Sequence, residues 1–128
     1  MKKLLCGLLL ITGGLAAGLA MAGDELDVPV MIWADGDFDT CAVGAVTGLD
    51  PKGDNFLAVR AGPGTGHHML DKIHTNDRVW VFDENNGWYG IAYGSPNISC
   101  SPVRNNRPYD GPGSTGWVFG KYVTIIAG

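Results

Sequence analysis

From Ala42 onward the apolar residues fall in short runs separated by clusters of Gly, Pro, Asn and Asp, and nowhere after residue 22 do they recur at the period of an amphipathic helix. The runs Ala42–Leu49, Phe56–Arg60, Arg78–Asp83, Trp88–Gly94 and Thr115–Val123 are predicted strands. Strict alternation places Leu57 and Val59 on one face of the second, and sets Val79 and Val81 of the third opposite Trp80 and Phe82. In the fourth, an inward Ile91 carries Tyr89 and Tyr93 with it and turns Trp88 outward. The strands are punctuated by Asp50–Asn55, by the glycine-rich Ala61–Gly66, by Thr75–Asp77 behind His67–Ile73, and by Glu84–Gly87. The last of these is a hairpin turn, because Asn and Gly accept the positive φ that tight hairpins require. Many short strands with such turns specify an all-β barrel or sandwich, and the length favours a small barrel.

Two segments do not fit this rhythm. Before Cys41, Val28, Val30, Ile32 and Trp33 form a short run that Pro29 restricts to an edge strand, followed by the acidic Ala34–Thr40. Between the last two strands, Ser95–Ser114 holds four prolines and no period. A stretch of that kind in a small domain is either functional or disordered, and Cys100 at its centre argues for order.

The first 22 residues have the three parts of an export signal: Lys2 and Lys3, an apolar run from Leu4 to Leu19, and the small residues Ala20 and Ala22. Cleavage is expected after Ala22, which discards Cys6; a retained anchor is the alternative. The run is short and glycine-rich for a membrane span, so no stable membrane insertion is expected after cleavage. Residues 23–41 then form an acidic extension and 42–128 the barrel, with 95–114 as its insert. Without Lys2 and Lys3 the nine basic residues become seven against thirteen acidic ones, which speaks against nucleic acid as a partner. Cys41 and Cys100, an even pair in an exported chain, are expected to form a disulfide rather than to stay as two thiols. Closing a loop of about 60 residues is worth on the order of 4 kcal/mol.

The stretch FLAVRAGPGTGHHMLDKIHTNDRVWVFDENNGWYGIAYG, with V-R-x-G-P and N-G-W-Y in order, and the closing TGWVFGKYV resemble the bacterial SH3 domains. The likeness spans Ala42 to Val123 and implies an SH3-like barrel that binds cell-wall peptides or proteins. The insert and the acidic extension depart from the family pattern. The closing segment is also similar to the eukaryotic SH3 motif G-Y-I-P-S-N-Y-V. That similarity places Phe119 and Tyr122 at two groove positions and Trp88 at the groove tryptophan. Aromatic rings there suit binding, since they offer large apolar area at low entropy cost; the alternative is that the insert folds over them. Trp80 is a further outward candidate, with covering by the insert or the N-terminal strand as its favoured fate. Arg60, ahead of a Gly-Pro turn, is expected to lie along the barrel wall with its head in water, with direct ligand contact as the alternative.

Other polar groupings carry less. His67, His68, Asp71 and His74 do not form a zinc pattern, because adjacent histidines on an extended segment point to opposite faces. Asp35, Asp37 and Asp39 alternate like a calcium loop, but Thr40 stands where the glycine belongs and Val46 where the closing Glu belongs, leaving an acidic patch. No nucleophile elbow, metalloprotease helix or phosphate loop is present, so no catalytic residue, metal or cofactor is expected. The resulting expectation is a periplasmic or secreted, non-catalytic module that binds a cell-wall peptide or an envelope protein through Trp88, Phe119, Tyr122 and Trp80. The alternative is an inhibitor or immunity-type protein that plugs a toxin or wall hydrolase with its insert and acidic face.

Overall fold

The computed structural model describes residues 25–128; the expected export signal, its cleavage site and Cys6 lie outside them. Nine strands follow in order: β1 Met31–Ile32, β2 Ala42–Val46, β3 Leu57–Arg60, β4 Met69–Ile73, β5 Arg78–Asn85, β6 Trp88–Tyr93, β7 Arg107–Pro108, β8 Ser114–Phe119 and β9 Val123–Ala127. A 3-10 turn, Gly120–Tyr122, separates β8 from β9. Seven strands form one antiparallel sheet in the order β4-β3-β8-β6-β5-β2-β9, while β1 and β7 pair as a separate ribbon. The domain is thus all-β and SH3-like, as expected. The sheet curls around its core, but its end strands β4 and β9 are not hydrogen-bonded to each other, so the barrel is not closed.

Alternation decides what the barrel encloses. Val46, Leu57, Val59, Ile73, Val79, Ile91, Val118 and Val123 form the inner core, with Tyr93 buried beside them. Val81, Tyr89 and Tyr122 pack around it. The Tyr93 hydroxyl donates to Asp71 Oδ2 at 2.8 Å, tying β6 to β4. Burial, reinforced by that carboxylate, holds the Tyr93 phenol far above its ordinary pKa. Asn86 and Gly87 have φ of 51° and 84°, the two-residue hairpin turn read from the sequence.

The two segments that break the strand rhythm form one structure. On the outer face of β5, β6 and β8, the side chains Phe82, Ala92 and Trp117 are covered by Val30 and Ile32 from the N-terminal segment and by Ile98 from the insert. The short run before Cys41 therefore pairs with the insert instead of extending the barrel sheet: Met31 faces Pro108 and Ile32 faces Arg107. Tyr109 donates its backbone N–H to the Val30 carbonyl at 2.8 Å and sets its ring 4.9 Å from that of Phe82. Cys41 and Cys100 are joined as a disulfide. Next to it Thr40 donates its N–H to the Cys100 carbonyl and its hydroxyl to the Ser101 carbonyl.

A bulge in β5 between Val81 and Asp83 lets consecutive residues serve this outer layer. Phe82 packs into it, and Asp83 accepts the Met31 N–H on Oδ2 and the Trp33 indole on Oδ1. Gly90 makes the close approach possible: a Cβ there would lie 2.9 Å from Asp83 Cβ, 3.1 Å from Val30 Cγ1 and 3.2 Å from Trp117 Cη2. Gly90→Ala is therefore expected to destabilise the domain by about 1–3 kcal/mol, read as a lower urea midpoint at unchanged slope.

Candidate functional site

Three of the four aromatic residues singled out from the sequence converge. Trp88 opens β6 and lies opposite Phe119, the last residue of β8, so the two are direct cross-strand neighbours. Their ring centroids are 5.5 Å apart. The 3-10 turn then brings Tyr122 round, because residues three apart share a side in that helix, and its ring centroid sits 6.1 Å from that of Phe119. Gly120 anchors the turn by donating its N–H to the Gly87 carbonyl of the neighbouring hairpin at 2.8 Å. The expected single closing strand Thr115–Val123 is thus two strands with this turn between them.

The three rings line one wall of an open cleft of about 830 Å³. The rest of its lining includes Leu49, Asp50 and Asp54 of the β2–β3 loop together with Phe56, Arg60 and Met69. Ala58 and Arg60 alternate with the inward Leu57 and Val59, which is why they face this cleft. The half-buried Arg60 donates from Nη1 to the His67 carbonyl at 3.0 Å, so its head is tied to the β3–β4 loop where water was expected. Lys72 holds its ammonium 4.5 Å above the Phe56 ring. Phe119 is 40% exposed, while Trp88 and Tyr122 are half-buried, Trp88 also touching the outer layer.

Trp80 lies apart from these three. It is half-buried, packs against the outer layer and borders a different depression with Ile73, Arg78 and Pro96. The histidines are dispersed: His67 Nδ1 meets Asp27 Oδ2 at 2.9 Å and His74 meets Asp77 at 4.0 Å. Asp35, Asp37 and Asp39 are all exposed on a turn closed by Phe38 N–H to the Asp35 carbonyl, with Phe38 itself 73% exposed. Asp50 and Asp54 are the cleft residues that sequence reading left in a turn. Their only signal was two acids in a loop next to the strand that ends in Arg60.

The bacterial SH3 domain model matches residues 55–124, more than half of the chain, and the protein belongs to that family. No curated protein and no solved structure matches the chain. Bacterial SH3 domains are commonly modules that bind cell-wall components, and the family is generally non-catalytic. The matched region begins just ahead of β3, so it contains the three cleft aromatics but neither β1 nor Cys41. A disulfide together with a bacterial SH3 domain suggests an extracytoplasmic protein. Among the described residues no helix is long and apolar enough to cross a membrane.

Proposed function

We infer that the protein is an exported, periplasmic or secreted binding module that recognises a cell-wall peptide, or a peptide segment of an envelope protein, in the cleft lined by Trp88, Phe119 and Tyr122. The observation that carries this reading is the convergence of three rings from β6, β8 and the 3-10 turn on one open cleft, although twenty inserted residues were at hand to cover them. Rings of this kind present apolar area that costs little entropy to fix, which is the usual composition of a binding hot spot. Trp88→Ala removes the ring that joins the cleft to the hairpin. It is expected to weaken sedimentation with isolated cell wall by about 30-fold or more, with the thermal transition still cooperative. Undiminished sedimentation by this variant rules the cleft out as the binding surface.

One observation favours a second reading, that of an inhibitor or immunity-type protein. Phe38 is the most exposed large apolar residue described, and it stands between Asp37 and Asp39. A toxin or hydrolase with an apolar pocket and a cationic rim would be blocked by such a tip. Under that reading Phe38→Ser, and not Trp88→Ala, abolishes partner binding, and binding weakens as salt rises.

A further inference from the structure

The charges in the cleft narrow the kind of ligand it suits; this step rests on the cleft being the binding surface. Its lining contains three charged residues, Asp50 and Asp54 from the β2–β3 loop and Arg60 from the end of β3. Among the described residues the ion pairs are His67–Asp27, His74–Asp77 and Arg107–Asp110, so neither aspartate is neutralised by Arg60. Arg60 spends one donor on the His67 carbonyl, while a guanidinium has five. Asp50 accepts the Lys52 N–H on Oδ1, and its Oδ2, beside Gly53, belongs to no ion pair among the described residues. Asp50 and Asp54 are exposed, so a ligand reaches them without a large desolvation cost. Opposite charges that share a cleft and do not satisfy one another are complementary to a ligand that also carries both signs.

We propose that the cleft selects a short dipolar peptide, whose free amine is held by Asp50 and Asp54, whose free carboxylate is held by Arg60, and whose small apolar residues lie on the Trp88–Phe119–Tyr122 shelf. A purely cationic ligand leaves Arg60 facing like charge, and a purely anionic one meets two carboxylates. Each mismatch costs affinity through repulsion as well as through the lost contact. Arg60 suits the carboxylate pole because its planar fork takes both oxygens of that group.

The test uses three forms of the tripeptide Ala-Ala-Lys: with free termini, with its carboxylate amidated, and with both amines acetylated. Binding is followed by the shift of the Trp88 indole N–H signal in a nitrogen-15 spectrum of the whole domain. The free tripeptide is expected to move that signal, and each capped form to bind about tenfold more weakly, a charge-assisted hydrogen bond lost in each case. Amidation should no longer matter in Arg60→Gln, nor acetylation in the double variant Asp50→Asn with Asp54→Asn, where the side-chain amide oxygen at position 50 can still close the local turn. If the three peptides bind alike and all move Trp88, the selectivity is overturned while the cleft reading stands. If none moves Trp88 but cell-wall sedimentation still depends on that residue, the dipolar ligand is again wrong and the cleft reading again stands. If neither is seen, the cleft reading falls and takes this inference with it.

Discussion

Trp117→Ala is expected to cost about 3–5 kcal/mol of folding stability, the usual loss for deleting a fully buried indole. The side chain is 1% exposed although it points away from the barrel interior, because the N-terminal segment and the insert close over it. Its indole nitrogen donates to the Val28 carbonyl at 2.8 Å, so truncation also strands that acceptor. Spread over a domain of this size the loss lowers the thermal midpoint by roughly 20 °C. Trp117→Phe keeps most of the apolar contact but not the hydrogen bond, and should fall between wild type and Ala. A urea titration showing a change below about 1 kcal/mol for Ala would mean that the outer layer adds nothing to the stability of the barrel.

Replacing both members of the bridge, Cys41→Ser with Cys100→Ser, is expected to remove about 4 kcal/mol, the chain-entropy value for a loop of this length. The bridge spans 59 residues of sequence and ties the start of β2 to the middle of the insert. Its loss should be felt locally as well, since the Thr40 bonds to Cys100 and Ser101 are held in register beside it. Limited proteolysis should then cut first within Ser95–Ser114, at sites the oxidised domain protects. Because the bridge and Trp117 support the same layer, their effects should not be additive. Once Trp117→Ala has loosened that layer, the bridge orders less of the native state and its removal costs less. Purely additive losses would show the bridge and the indole to act independently.

The barrel was legible because its signals are local. Alternation alone assigned Val79 and Val81 to one face and Trp80 and Phe82 to the other, and it placed Ile91, Tyr89 and Tyr93 correctly. The hairpin at Asn86–Gly87 follows from residue type. The cleft was legible in part: the likeness to SH3 closing motifs picked out Phe119 and Tyr122, and alternation turned Trp88 outward. What escaped was non-local. The β1–β7 ribbon joins pairs of residues more than 70 positions apart and is only two residues long, too short to leave a period. The burial of Trp117 comes from the distant N-terminal segment and insert, so nothing in TGWVFGKYV announces it. Asp50 and Asp54 read as turn residues because a turn is what their local sequence makes; only the curl of the sheet carries that loop to the aromatic wall.

The outer layer also imposes an order on maturation. Phe82, Ala92 and Trp117 come from three neighbouring strands, and they form a continuous platform only after β5, β6 and β8 have assembled. Neither the segment before Cys41 nor the insert has a surface to dock on before that point. The assembled platform therefore favours the pairing of Cys41 with Cys100, and a chain that stalls earlier leaves both thiols open to wrong partners.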